Sequence, residues 1–197
     1  EDKTIGGFIV GDRGPDYQVC ERIWLDPEKM RKGLGTRAFK LVWELYPSAE
    51  VWVLGTPEWN TRTNPFYQSL GFVQIGKTHD YSWDGIYYER RLTDKFPKAM
   101  SKIKDIKEGQ QRIIIEGAVD DISNTRTVKS RKTGKNLKVA YATLSDETEL
   151  IKLVLWNHQI PQVREETNIR IEEGFAQSYR DELYLSIGKW GMIITLL

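Results

Sequence analysis

The pattern of apolar residues changes period near residue 97, and that change limits the fold more than any other feature of the chain. Downstream, apolar and polar side chains alternate with period two almost to the end, as β-strands require. Upstream, extended apolar runs are interleaved with a 3.6-residue period. Between the two, "RRLTDKFPKAMSKIKD" (90–105) sets Pro97 among charged residues and marks a domain boundary near residue 97. With 197 residues the chain is long enough for two domains, each of about 100 residues. The expected fold class is α+β with two domains: a mixed α/β domain over residues 1–97, then an all-β five-stranded barrel over residues 98–197.

In the downstream half, "QRIIIEGAVDDIS" (111–123) is a strand, with Gly117 where a bend or bulge helps. "NLKVAYATLSD" (136–146) is its hairpin partner, and "ELIKLVLWN" (149–157) is a third strand. "HQIPQVREE" (158–166) is a short connector. "NIRIEEGFAQSYRDELYLSIGKWG" (168–191) gives two more strands, turning at "YRDE". Five strands with a connector between the third and fourth describe an OB-fold. Between the first two strands, "RTVKSRKTGKNLK" (126–138) carries Arg126, Lys129, Arg131, Lys132, Lys135 and Lys138 and no acid. Such a run is usually a solvated hairpin tip, but beside a binding face it would meet phosphates. Trp190 is expected to close the barrel end.

Upstream, "TIGGFIV" (4–10) and "YQVCERIWL" (17–25) are strands around the turn "DRGPD". "TRAFKLVWELYP" (36–47) places Phe39, Val42, Trp43 and Tyr46 on one helical face. "EVWVLG" (50–55) is a buried strand, and "EWNTRTNPFYQSLGF" (58–72) holds a short helix that Gly71 ends in the left-handed C′ position. Two more strands follow, at 72–78 and 85–92. Gly33 and Gly35 fall in "MRKGLGT" (30–36), between a strand and a helix. They leave N–H groups uncovered where unpaired donors and the helix dipole suit an anion, most often phosphate. Taken alone, the same loop reads as a flexible turn.

Formal net charge is +1, so nucleic-acid binding would require a local patch. The one cysteine, Cys20, excludes an intrachain disulfide and fits a reducing, cytoplasmic compartment. No apolar run nears the ~20 residues of a membrane span, and neither a membrane nor a metal is expected as a partner. The chain begins with Glu1, not Met, so an upstream segment is expected to be missing.

The upstream half resembles the C-terminal two-thirds of a GNAT acyltransferase. "MRKGLGT" is similar to that family's Gln/Arg-x-x-Gly-x-Gly/Ala pyrophosphate loop. "NTRTNPFYQSLGF" (60–72) matches its Asn-x-x-x-x-x-x-Tyr-x-x-x-Gly-Phe pattern. The resemblance implies acetyl-CoA as cofactor. It places the pyrophosphate on the N–H groups of Lys32, Gly33, Leu34, Gly35 and Thr36, with Arg31 beside them. Trp24 and Leu25 would pair with the pantetheine arm, and Asn60 would contact the cofactor. Tyr67 would protonate the departing thiolate as general acid, and Glu21 is the candidate base for the acceptor amine. Tyr67 also reads as core beside Phe66 and Leu70, and Glu21 as a solvent-facing side chain. Met30 departs from the family's Gln or Arg and offers the phosphates no side-chain donor. The family's usual first strand, two helices and second strand do not precede "TIGGFIV", which implies either a fragment or a reduced domain.

Residues 102–191 resemble archaeal single-stranded DNA-binding proteins and the OB domains of replication protein A. The likeness is carried by "IKEGQ", "LSDETELIKLVLW", "VREETNIRIEEGFAQSY" and "LSIGKWG", and it implies an archaeal origin. It puts Trp156, Phe175 and Tyr179 where relatives stack aromatic rings on bases, an interaction that tolerates any sequence. The partners implied are single-stranded nucleic acid, DNA ahead of RNA, and replication or repair proteins. Two functions remain open. One is an N-acetyltransferase carried to nucleic-acid-bound proteins by its OB domain. The other is a non-catalytic scaffold in which the GNAT-like part docks partners.

Overall fold

A computed structural model describes residues 3–79, 84–130 and 132–197, the side chain of Lys189 excepted. The chain divides into two compact units, residues 1–75 with 86–99 and residues 76–85 with 100–197.

In the first unit, β1 (Gly6–Gly14) and β2 (Tyr17–Leu25) form an antiparallel hairpin with irregularities at Ile9/Val10 and Asp12/Gly14. α1 (Leu34–Leu45) crosses over to β3 (Val51–Pro57), which runs parallel to β2 with Tyr17 opposite Val51. α2 (Asn64–Ser69), β4 (Val73–His79) and β5 (Asp84–Arg91) follow, with the end of β4 from Gly76 and the start of β5 through Gly85 counted in the second unit. The strand order is β1-β2-β3-β5-β4. The helical face anticipated for α1 is the one that packs: Phe39 is fully buried, and Val42, Trp43 and Tyr46 lie against the same core. The Phe39 ring meets Phe8 edge-on at 4.9 Å and has Trp43, Phe66, Tyr67 and Phe72 within 6.3 Å. Aromatic pairs in such geometry add about 0.5–1.5 kcal/mol each beyond the area they bury.

The unit is mostly β, so the mixed α/β description holds only in part. Its two helices have 12 and six residues. α2 is short because the N–H groups of Asn60 and Thr63 donate back to Pro57 and Asn60 in consecutive turns, and Pro65 sits in the first helical turn. Gly71 ends it with φ +85°. The Gly71 N–H reaches the Gln68 carbonyl at 2.9 Å and the Phe72 N–H reaches Tyr67 at 3.1 Å.

The second unit contains β6 (Ile113–Ile122), β7 (Arg126–Lys129), β8 (Asn136–Ser145), β9 (Leu150–Trp156), β10 (Asn168–Tyr179) and β11 (Glu182–Leu196). β6 pairs with β8 and β10, β8 with β9, and β10 with β11, all antiparallel. β9 pairs parallel to β11 and closes a five-stranded OB barrel. Every second residue points inward: Ala142 and Leu144 on β8, Ile151, Leu153 and Leu155 on β9, Leu185 and Ile187 on β11. A Cβ at Gly117 would lie 2.6 Å from the Ser145 carbonyl oxygen, so β6 and β8 approach closely there. The register slips just beyond, between Val119 and Asp121.

Three local expectations change. Residues 126–129 form a strand paired with residues 136–139 rather than loop, because Arg126, Thr127, Val128 and Lys129 extend the β8 ladder. β11 continues past residue 191 to Leu196. Trp190 is 79% exposed and does not close the barrel. No helix among the described residues is long and apolar enough to cross a membrane.

Candidate functional site

The first unit holds a cleft of about 460 Å³ between the end of β2, the glycine loop, the start of α1 and α2. Trp24, Leu25, Arg31, Gly33, Leu34, Gly35, Thr36, Asn60 and Tyr67 line it together, with Met30, Thr63 and Phe66 among their neighbours. Lys32 is exposed and is not among the lining residues.

The two glycines do different things. Gly33 caps α1 with φ +73°, a left-handed value that costs an ordinary L residue about 1–2 kcal/mol. A Cβ there would have nothing within 4 Å, so the loop is open above it. Gly35 instead lies beneath α2: a Cβ would come within 2.9 Å of the Phe66 ring. Arg31 also takes a positive φ, +59°. The Arg37 N–H donates to the Gly33 carbonyl at 3.0 Å. The N–H groups of Leu34, Gly35 and Thr36 lie in the turn ahead of that bond, and no side chain caps it. These donors and the dipole make this wall of the cleft suited to an anion. The Trp24 indole lies against Gly7, where a Cβ would be 2.0 Å from the ring.

Tyr67 is buried beside Phe39, Phe66, Phe72 and Tyr88. Burial, with smaller contributions from Cys20 and Tyr88, pushes its phenol up to about 12, so it carries its proton at neutral pH. Burial likewise pushes the Cys20 thiol up to about 12. Glu21 lies elsewhere: its exposed carboxylate accepts a hydrogen bond from Arg13 at 3.2 Å and is not among the cleft-lining residues. Among the described residues that line the cleft there is no carboxylate and no histidine.

In the second unit, the registers place one set of side chains on the outside of the barrel. Trp156 stands opposite Val139, Val154 opposite Tyr141 and Ser186, Lys152 opposite Thr143 and Tyr184. Phe175 stands opposite Ser186, Gln177 opposite Tyr184, and Tyr179 opposite Glu182. Trp156, Phe175 and Tyr179 therefore share this face, and none belongs to the core cluster. Tyr179 is 60% exposed, with the Arg180 guanidinium 5.3 Å from its ring.

Sequence reasoning missed an aromatic pair on the same face. The rings of Tyr141 and Tyr184 lie 5.8 Å apart, with Arg126 and Lys152 each 5.9 Å from one of them. Their outward position could have been read from parity, since Tyr141 alternates with inward Ala140 and Ala142, and Tyr184 with Leu183 and Leu185. Of the predicted cations, Arg126 and Lys129 lie on β7, Lys138 on β8, and Lys132 and Lys135 at the hairpin tip, all exposed. Arg131 lies outside the described residues.

Residues 1–72 match the family model of the acetyltransferase (GNAT) family, and residues 107–195 match that of the Ssb-like single-stranded DNA-binding proteins with an OB fold. The chain thus carries a GNAT-family domain at its N-terminal side and an OB-fold domain after it. No curated protein matches significantly. Similar solved structures include the replication factor A related protein of Methanobacterium thermoautotrophicum, 25% identical over 49% of this chain and 90% of that one, TM-score 0.43. An OB domain from Thermoplasma acidophilum is 20% identical over 49% of this chain and 85% of that one, TM-score 0.43. A GNAT family acetyltransferase from Elizabethkingia anophelis, solved with acetyl-CoA bound, is 17% identical over 46% of this chain and 70% of that one, TM-score 0.39.

Proposed function

We propose that the barrel binds single-stranded nucleic acid, DNA ahead of RNA, across its outward face, and that the cleft of the first unit binds acetyl-CoA. The observation that carries the first part is the set of aromatic side chains held outside the core on one face: Trp156, Phe175 and Tyr179 around Tyr141 and Tyr184. A ring that could bury itself but faces outward suits stacking on bases. The exposed cations of the β7–β8 hairpin and its tip suit the phosphates that accompany those bases. The match to the Ssb-like family model supports this reading. The test is a titration of labelled single-stranded and duplex oligonucleotides, with preference for the single strand expected.

The cleft fits the second part. The N–H groups of Leu34, Gly35 and Thr36, the open approach above Gly33 and the nearby Arg31 suit a pyrophosphate. Trp24, Leu25 and Asn60 would hold the rest of the cofactor. Bound acetyl-CoA would supply a thioester reactive toward an amine. Tyr67 would offer a hydroxyl proton to the leaving sulfur from a mostly buried position. A phenol near 12 gives up that proton reluctantly to a thiolate of ordinary basicity, about 8.5. Its first effect would therefore be a hydrogen bond rather than complete transfer. On this reading the chain acetylates an amine on a protein gathered at nucleic acid, with replication or repair proteins as partners.

A second reading keeps acetyl-CoA binding or partner docking without transfer. It is favoured by the position of Glu21, which is paired with Arg13 away from the cleft, so that no carboxylate among the described lining residues is placed to take the amine proton. Calorimetric titration with acetyl-CoA tests the cofactor. Release of free CoA thiol matched by acetyl incorporated into nucleic-acid-bound protein then separates the two readings, because only the transferase yields both.

A further inference from the structure

Within the face assigned above to nucleic acid, one cation is already engaged. The Lys152 ammonium is 2.6 Å from the Glu182 carboxylate, and the Tyr184 hydroxyl donates to the same carboxylate at 2.5 Å. Lys152 also lies 5.9 Å from the Tyr184 ring. Glu182 stands opposite Tyr179 in the β10–β11 register. One carboxylate therefore sits among Tyr179, Tyr184 and Lys152, on a face whose other charges suit phosphate. The pair is about half exposed, so water and salt weaken it without abolishing it.

We infer that Glu182 is an affinity-limiting latch: it holds Lys152 over the Tyr184 ring, and an incoming strand must break that contact before it stacks there. This rests on the nucleic-acid reading of the face. The carboxylate withdraws a cation from the phosphates and adds a like charge in their path. Both effects weaken binding and hasten release. A protein that handles single strands must also let them go, and a latch of this kind lowers affinity without sacrificing an aromatic ring. When the strand leaves, Lys152 returns to Glu182, so release is assisted by a partner within the same face.

The test is a double-mutant cycle on the full chain with a labelled single-stranded oligonucleotide, across a range of salt concentrations. Glu182→Gln keeps the shape and can still accept from Tyr184. It should bind about fivefold tighter at low salt. The slope of log affinity against log salt should steepen by about 0.7, as one freed lysine meets a phosphate. Lys152→Gln alone should change affinity by less than about twofold, because that cation is occupied in the parent. In the Glu182→Gln background, Lys152→Gln should remove the part of the gain that the freed lysine supplies and restore the parental slope. Thermal unfolding of each variant verifies that the fold is intact. Equal or weaker binding by folded Glu182→Gln would overturn the latch, since the carboxylate would then be neutral or would itself touch the strand. So would a Lys152→Gln effect as large in the parent as in Glu182→Gln. If neither the parent nor Glu182→Gln binds a single strand, the nucleic-acid reading itself fails, and the latch fails with it.

Discussion

Replacing Gly33 by Asp puts a charge where the cleft is expected to receive one, and Asn at the same position isolates that charge from every other change. Gly33 has φ +73° and open space where a Cβ would go, so neither side chain meets a clash. The backbone cost of a left-handed L residue is about 1–2 kcal/mol and is least for Asn and Asp. A carboxylate at a helix N-terminus returns about 0.3–1 kcal/mol through the dipole. The net loss of stability is thus about 1 kcal/mol, a shift of about 4–8 °C for a domain of this size. The effect on binding is much larger. Two unit charges about 4 Å apart repel by about 4 kcal/mol at an effective dielectric constant near 20. The Asp side chain would also bond the N–H groups that a pyrophosphate needs. Gly33→Asp should therefore weaken CoA binding at least ~100-fold, equivalent to about 2.7 kcal/mol. Gly33→Asn should weaken it less than ~10-fold, with a somewhat larger thermal shift because the neutral amide gains nothing from the dipole. Calorimetric titration with CoA and thermal unfolding measure the two effects separately. Gly33→Asp affinity within threefold of the parent, in a folded protein, would refute the assignment of this helix start to an anion.

Trp156→Ala, Phe175→Ala and Tyr179→Ala should each cost about 1–3 kcal/mol in single-strand affinity and leave the salt slope unchanged, because stacking releases no counterions. Neutralising Lys129, Lys132 and Lys135 together should instead flatten that slope in the same titration, by about 0.7 for each phosphate that no longer meets a cation. If the first unit transfers acetyl groups, Tyr67→Phe should lower turnover far more than it weakens acetyl-CoA binding, and equal turnover would return Tyr67 to a purely structural role. Burial raises both Cys20 and Tyr67 to about 12 in the fold. The unfolded chain therefore loses these protons first: this contribution to stability is fully present below about pH 9, and it is lost as pH rises toward about 12. Urea unfolding of Tyr67→Phe should show a shallower alkaline decline than the parent.

Much of the barrel was legible because strand parity is a local property. The alternation that buries Ile151, Leu153 and Leu155 also turns Lys152, Val154 and Trp156 outward, and both sets can be read from one short run of letters. Tyr141 and Tyr184 escaped because each stands between apolar neighbours, where a half-buried ring reads as core. Their meeting depends on β8 and β11 both flanking β9, which no single segment contains. The cleft was legible as a motif but not as a set of physical roles. That Gly33 is open while Gly35 is pressed against Phe66 follows only once α2 is placed beside α1. The pairing of Glu21 with Arg13 depends on the β1–β2 register, whose two irregularities decide which side chains meet across the hairpin. α2 shrank to six residues because the turns from Pro57 to Thr63 satisfy their own backbone groups, a competition that helical periodicity does not record.

β7 stands at the end of its strand order, bonded to β8 along one side. A short outer strand of this kind offers unpaired N–H and C=O groups to any other extended chain and is a ready template for aggregation. Arg126 and Lys129 on that strand, with Lys132 and Lys135 at the adjoining tip, make such an approach costly, because each charge would have to give up water or face its own kind. The same cations thus oppose pairing of copies along this edge. Charge-neutralised variants should therefore precipitate at lower protein concentration than the parent, and the salt titrations that use them belong in dilute solution.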